Sequence, residues 1–173
     1  YLQEADGIVW HTAKSGSKAT PFFLTTDAAE GTWDLWFPGQ SGCYYTNVNT
    51  TKKLWTALWM PTLNVSGIDG GITMEYKRDK NQWQGIFTAT GAGTINIQMN
   101  GTGKLYDNTS VSGADNSIDD TKAKDTSFAF SGSANELTFN TGTNVSARNI
   151  TVNVPAAGEC TLIIDLNDPQ AWK

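Results

Sequence analysis

The sequence predicts an all-β protein, folded as an antiparallel two-sheet β-sandwich. Apolar residues alternate with polar ones over several short segments, which is the period of a half-buried strand. Stretches rich in Gly, Asn and Ser separate these segments at the spacing of sandwich turns. No long segment has the period of a helix, and the stretch from Asp119 to Asp125 is polar and short enough to be a surface turn.

The alternation is clearest in the second half of the chain, where Ile95, Ile97 and Met99 share one face of a strand. The same pattern recurs in shorter segments: Ile72 with Met74 and Tyr76, Phe128 with Phe130, Leu137 with Phe139, Ile150 with Val152 and Val154, and Leu162 with Ile164 and Leu166. Turns are expected between the strands, at residues 91–93, 100–101, 131–135 and 156–158.

The 173 residues suit one domain, which we expect to span residues 1–173. Residues 1–70 hold five of the seven Trp, whereas residues 71–173 form a regular meander of strands. Because no linker divides the two parts, we favour extra strands and long loops on the same sandwich for residues 1–70. A small separate lobe is the alternative.

Composition excludes several classes of function. The net charge of -5 and the lack of a long basic cluster argue against nucleic acid as a partner. His11 is the only imidazole, and Cys43 and Cys160 lie far apart in sequence without a nearby His. A zinc or iron–sulfur site is therefore not expected, and we predict neither a metal nor a cofactor. The two Cys are either unpaired or joined in a single disulfide.

The Trp residues divide into core candidates and surface candidates. In one segment, alternation places Trp33 with Leu35 and Phe37 on one face and leaves Trp36 on the other. In a second, Trp55 and Trp59 share a face about 13 Å apart, four strand positions from one another. The opposite face is also apolar, so this segment is either buried on both sides or displays its rings to a ligand.

Exposed aromatic rings beside amides and charged groups are suited to sugars. The C–H face of a pyranose packs on a ring, and its hydroxyls pair with planar polar side chains. For any single Trp, burial is the more common outcome, but we expect at least one of the group to be an open platform. The candidate glycan-binding residues in this part are Trp36, Tyr44, Tyr45, Lys53, Trp55 and Trp59.

The order of segments after residue 72 resembles a known family. It comprises a polar hairpin turn at residues 77–82, the W-x-G-x-F segment from Trp83 to Phe87, and a closing segment from Gly158 to Trp172. This order resembles the repeated modules of SusE- and SusF-like surface glycan-binding lipoproteins of gut Bacteroidetes. Residues 1–70 do not match that pattern, and Cys160 stands where those modules usually carry an aromatic residue.

The resemblance implies a non-catalytic glycan-binding sandwich at the bacterial cell surface, anchored to the outer membrane by lipid. Trp83 and Trp172 then belong to the scaffold, and Tyr76, Arg78 and Asp79 at the hairpin join the candidate ligand-binding residues. The expected partners are an oligo- or polysaccharide and other outer-membrane glycan-uptake proteins, with the chain a monomer. A secreted or periplasmic location is the alternative.

Two other functions remain open at this point. A cell-surface adhesin or protein-interaction domain would use the same aromatics as a protein interface. A small glycoside hydrolase would need two carboxylates about 5–10 Å apart across the scissile bond. Its candidates, Asp27, Glu30, Asp34, Glu75 and Asp79, lie in no catalytic motif, so we expect no enzyme activity and no catalytic residue.

Overall fold

A computed structural model describes residues 2–3, 9–15, 23–25 and 32–34 by their backbone, and residues 40–110 and 118–173 with their side chains. The described residues form an all-β, antiparallel structure, as the alternation predicts. The strands are β1 Leu2–Gln3, β2 Val9–Ser15, β3 Phe23–Thr25, β4 Thr32–Asp34, β5 Cys43–Asn49, β6 Leu54–Met60, β7 Leu63–Ser66, β8 Ile72–Lys77, β9 Gln82–Ala89, β10 Gly93–Asp107, β11 Lys124–Ser133, β12 Glu136–Gly142, β13 Ile150–Val154 and β14 Gly158–Asp165. The single turn of 3₁₀ helix among them is Asp120–Lys122.

The chain divides into two compact units that do not follow the sequence in order. Unit 1 comprises residues 1–59 and 104–124, and unit 2 comprises residues 60–103 and 125–173. In unit 1, β2 pairs with β1, β3 and β4. The end of β10 pairs antiparallel with β6, with Tyr106 opposite Ala57, and β6 also pairs with β5.

Unit 2 contains the strand path β12-β11-β10-β7-β8-β9-β14, with β13 also paired to β10. The 15-residue strand β10 takes several partners along its length. It pairs with β13 over residues 93–97 and with β7 over residues 98–100, both antiparallel. Strand β14 pairs with β9 along its whole length. The long strand β10 therefore pairs directly with β7, β11 and β13 of this unit.

The predicted inward faces of unit 2 are confirmed. Ile97 and Met99 are buried in β10, and Met74, Phe128 and Ile164 are buried in their own strands. Trp83 is buried as well, which agrees with its assignment to the scaffold. Half-buried Trp172 packs edge-on against Phe139 in the same unit, at 5.9 Å between ring centroids.

The turn predicted at residues 100–101 is wrong, because both residues lie inside β10. Gly101 has a structural reason other than a turn. A Cβ atom at this position would meet the ring of Phe128 and the carbonyl oxygen of Thr62, both at 2.4 Å. Glycine in a strand interior is also found where another group approaches the backbone closely. Here it lets the aromatic core of unit 2 pack directly against β10.

Candidate functional site

The aromatic residues of unit 1 form a small core on one face of β6 and β10. Trp55, Ala57 and Tyr106 are buried together, and Tyr44 and Trp59 pack against them while remaining partly exposed. Trp55 is only 5% exposed. Its ring therefore serves the core and offers no open face to a sugar, in contrast to its prediction as a platform. Of the two β6 indoles, only that of Trp59 is partly open.

Gln40 is the centre of a polar network beside these rings. Its main-chain carbonyl accepts a hydrogen bond from the Tyr44 hydroxyl at 2.8 Å. Its side-chain amide donates to Asp120 Oδ1 at 3.3 Å. The amide oxygen Oε1 is buried and has no hydrogen-bond partner among the described residues. Gln40 thus contacts a residue that is 80 positions away in the sequence.

Asp120 is an exposed residue whose carboxylate accepts hydrogen bonds through one oxygen, Oδ1. Its Oδ1 also accepts the hydroxyl proton of Tyr106, at 2.8 Å, while Oδ2 accepts no hydrogen bond from the described residues. Burial, together with the hydrogen bond to Asp120 and its negative charge, raises the pKa of Tyr106 far above its usual value. Burial, and secondarily the charge of Asp120, also raises the pKa of Tyr44. Both phenols therefore remain neutral hydrogen-bond donors at neutral pH.

Trp59 extends the network along β6. Its indole N–H donates to the carbonyl oxygen of Ser41 at 3.1 Å, next to Gln40 in the chain. In the β6–β10 pair Lys104 lies opposite Trp59, so the two side chains leave the sheet on the same face. The result is a cluster of a half-exposed indole, a phenol, an amide, a carboxylate and an ammonium group. We call the residues Gln40, Ser41, Tyr44, Trp59, Lys104 and Asp120 the Gln40 cluster.

The predicted residues of the β8–β9 hairpin lie in unit 2 and have a different setting. The ring of Tyr76 packs against that of Trp83, with 5.4 Å between centroids, and its hydroxyl donates to Asn81 Oδ1 at 2.8 Å. Arg78 and Asp79 are exposed in the turn. The Tyr76 ring and hydroxyl thus have partners within the hairpin, and the turn presents the exposed charged residues Arg78, Asp79 and Lys80 rather than an open ring.

The remaining predicted residues lie apart from the Gln40 cluster or outside the described part. Tyr45 is half-buried, and it alternates with Tyr44 along β5, so its side chain leaves the opposite face. Lys53 is exposed in the β5–β6 turn, where its φ of 58° is left-handed. Trp36 lies outside the described residues. The structure therefore brings together Tyr44 and Trp59 but neither Tyr45 nor Lys53.

The sequence does not predict that Lys104 and Asp120 lie beside these aromatic residues. Asp120 lies in the polar stretch that is predicted to be a surface turn. Lys104 follows a Gly-rich stretch, and the sequence pattern does not predict that β10 extends to this residue. Only the pairing of β10 with β6 and the contact of Asp120 with Tyr106 bring them to the aromatic residues. Gln40 is close to Tyr44 in the sequence, but its position in the chain gives no sign of its contact with Asp120.

Within the described ranges, no group of three or more His, Cys, Asp or Glu side chains is arranged to hold a metal ion. The same ranges contain no helix that is long and apolar enough to cross a membrane. Cys43 and Cys160 are not joined in a disulfide, and Cys43 is buried.

Comparison with known families divides the chain near residue 60. Residues 1–60 match the family described as a domain of unknown function, DUF5111. Residues 64–173 match a second family, also described as a domain of unknown function, DUF5114. No curated protein and no solved structure matches the chain. Since the second match covers more than half of its length, the chain belongs to the DUF5114 family.

Proposed function

We propose that this protein is a non-catalytic carbohydrate-binding module that holds a sugar at the Gln40 cluster. The observation that carries the proposal is the exposed carboxylate of Asp120, fixed through Oδ1 beside two partly open aromatic rings. An exposed carboxylate that is already oriented accepts hydroxyl protons with little further loss of conformational freedom. The Trp59 indole supplies an apolar surface for the C–H face of the sugar.

The cluster favours a neutral glycan over a charged one. Asp120 accepts hydroxyl protons, and Lys104 on the face shared with Trp59 donates to ring or hydroxyl oxygens. The opposite signs of these two groups give the cluster no strong net charge, and the whole chain carries -5. Binding is thus expected to depend on hydroxyl positions more than on ionic strength.

The proposed role is that of a SusE/SusF-like module, which the chain resembles in its hairpin turn at residues 77–82, its segment from Trp83 to Phe87 and its closing segment from Gly158 to Trp172. In this setting the chain is displayed at the cell surface by a lipid anchor in the outer membrane and works with other glycan-uptake proteins. The proposal includes a two-sheet sandwich for unit 2. It is supported by the change of partners along β10, since a strand that passes from one set of partners to another can join two packed sheets.

The experiment is affinity gel electrophoresis of the chain against α-glucan, β-glucan, xylan, mannan and pectin, followed by calorimetry on any polysaccharide that retards it. Trp59→Ala is expected to abolish retardation. Asp120→Asn is expected to weaken binding by about 10- to 100-fold, because a hydrogen bond to a charged group contributes about 1.5–3 kcal/mol. Reducing-sugar release is measured on the same polysaccharides and is expected to be nil.

Arg78→Ala is the matched control, since Arg78 is exposed in the β8–β9 turn, outside the cluster. It is expected to leave affinity unchanged, and circular dichroism checks that every variant is folded. If Arg78→Ala abolishes binding and Trp59→Ala does not, the site is at the hairpin and the cluster is not the site. Failure of the whole panel, or release of sugar, overturns the proposal of a non-catalytic glycan-binding module.

A further inference from the structure

Strand β14 forms the end of its sheet in unit 2. It pairs with β9 along its whole length, and in the described part of the chain no further strand follows it. Its last residue is nevertheless paired on the outer side. The Asp165 N–H donates to the Lys173 carbonyl at 2.7 Å, and the Lys173 N–H donates back to the Asp165 carbonyl at 3.3 Å. This reciprocal pair is the hydrogen bonding of an antiparallel strand.

The pair at Asp165 shows which backbone groups face the open edge. Along a strand, the N–H and C=O groups of successive residues point alternately to the two neighbours. The backbone groups of Ile163, Thr161 and Glu159 therefore point the same way as those of Asp165, away from β9. No described residue bonds them. Three residues of β14 thus present unpaired donors and acceptors in a row, next to a position already paired by an antiparallel segment.

An apolar cleft opens beside this edge. It has a volume of about 80 Å³ and is lined by side chains that include Leu137, Ile150, Val152, Leu162 and Ile164. Two residues of the edge itself, Ile163 and Lys173, also line it. Pockets for drug-sized ligands measure about 300–1,000 Å³, so this cleft suits one or two aliphatic side chains and no oligosaccharide. On the outer face of the strand, Ile163 is 45% exposed.

We propose that the β14 edge binds an extended peptide segment that adds one antiparallel strand to unit 2. Its residues opposite Ile163 and Thr161 exchange backbone hydrogen bonds with them and cover the outer face. The residues in between, opposite Ile164 and Leu162, point inward, because paired residues project from the same face of a sheet. Those positions take valine-sized aliphatic side chains, which enter the cleft. A basic residue opposite the exposed Glu159 completes the pattern.

A second copy of the chain fits this edge less well. If two β14 strands paired with each other, their inward residues Leu162 and Ile164 would each still pack in their own core, where they are already buried. Such a pair would form the missing backbone hydrogen bonds but leave both clefts empty. A separate peptide brings its own aliphatic side chains, so it forms the backbone hydrogen bonds and fills the cleft at the same time. This is the mode of recognition in which an exposed sheet edge accepts a strand.

The experiment uses the acetylated, amidated peptide Val-Thr-Val-Thr-Val-Lys at millimolar concentration, with amide hydrogen exchange followed residue by residue. In the free protein, the amides of Ile163, Thr161 and Glu159 should exchange rapidly, while those of Leu162 and Ile164, bonded to β9, should be protected. The peptide is expected to slow exchange at the first three at least 5-fold and to leave the other two unchanged. The control peptide Ser-Thr-Ser-Thr-Ser-Lys keeps the backbone and loses the aliphatic side chains, and it should have no effect.

Two variants test the geometry. Thr161→Pro removes an N–H that faces the open edge and is not needed for pairing with β9, so the domain should stay folded and lose peptide binding. Glu159→Lys should weaken binding of the Lys-terminated peptide and restore it for the same peptide ending in Glu. Unchanged exchange at the three edge amides, or equal protection by both peptides, overturns the proposal. Protection of these amides by raised protein concentration alone overturns it in favour of self-association.

Discussion

Among single residues, Tyr106 has the clearest effect on how the stability of the fold depends on pH. It is 1% exposed and donates to Asp120, and its pKa is raised by burial first and by this carboxylate second. In an unfolded chain, tyrosine ionises near pH 10. Between that pH and the higher pKa of the folded state, the unfolded chain loses the proton first, so rising pH favours unfolding.

We therefore predict that the wild-type chain is more stable than Tyr106→Phe below about pH 10, and that this advantage shrinks as the pH rises further. Below pH 10 the difference should be about 1.5–3 kcal/mol, the contribution of a hydrogen bond to a charged acceptor. Urea unfolding of both proteins between pH 7 and pH 11 measures it. A difference that stays constant over this range would mean that the Tyr106 proton is not linked to folding.

At the residue scale, the sequence predicts which side chains are apolar and inward but not which polar groups meet. The burial of Ile97 and Met99 follows from alternation alone. The contact between Gln40 and Asp120 depends on two strand pairings and spans 80 positions. Trp55 and Trp59 read alike in sequence, yet one is buried and the other is partly open. Trp55 belongs to the buried cluster with Ala57 and Tyr106, whereas Trp59 packs against that cluster and stays partly exposed.

At the scale of elements, Asn81 connects the β8–β9 turn to the end of β14. Its φ of 50° is left-handed, which Asn tolerates better than most residues. Its side chain donates to the Leu166 carbonyl at 3.0 Å and accepts the hydroxyl proton of Tyr76. The Asn81 carbonyl also accepts the Leu166 N–H at 3.1 Å. One residue thus closes a tight turn and ties two strands together.

Substitutions at Asn81 should separate these two roles. Asn81→Gly keeps the backbone conformation accessible and loses the side-chain hydrogen bonds, for a predicted cost of about 1–2 kcal/mol. Asn81→Ala loses the same bonds and adds about 1 kcal/mol of backbone strain. The midpoints and slopes of urea unfolding measure both. Equal stability of the two variants would show that the left-handed backbone carries no cost here.

Element prediction succeeds where pattern and environment agree. The strands around Ile150, Leu162 and Phe128 are half-buried, and their apolar and polar residues alternate regularly. This periodicity is enough to predict them. It fails at residues 100–101, where an Asn-Gly pair that usually marks a turn runs straight through β10. The reason is tertiary, since the Phe128 ring requires a residue without a side chain at that position.

At the scale of the whole molecule, the family boundary and the structural boundary differ. The DUF5114 match begins at residue 64, yet residues 104–124 within it belong to unit 1. Tyr106 in that stretch packs against Trp55 and Ala57, which lie before the match. A chain restricted to the matched region therefore lacks the strand that covers Tyr106. Each matched region on its own is thus an incomplete folding unit.

We predict that the fragment 61–173 unfolds at a midpoint about 10 °C below that of the full chain, as expected for a loss of about 3 kcal/mol of packing. It should also bind a hydrophobic dye that the full chain excludes, because the ring of Tyr106 is uncovered. Calorimetry and dye fluorescence of the two proteins measure this. A fragment that unfolds as cooperatively as the full chain and at the same temperature would contradict the assignment of residues 104–124 to unit 1.

The length of β10 also bears on how this family can change through evolution. Inserting or deleting one residue near Asn100 would move every later residue of the strand to the opposite face. Tyr106 would then no longer lie opposite Ala57, even though the insertion or deletion is outside unit 1. Relatives should therefore differ in length within their loops while keeping the number of residues between Ile97 and Tyr106 constant. In an alignment, that invariant spacing would identify β10 even where none of its side chains is shared.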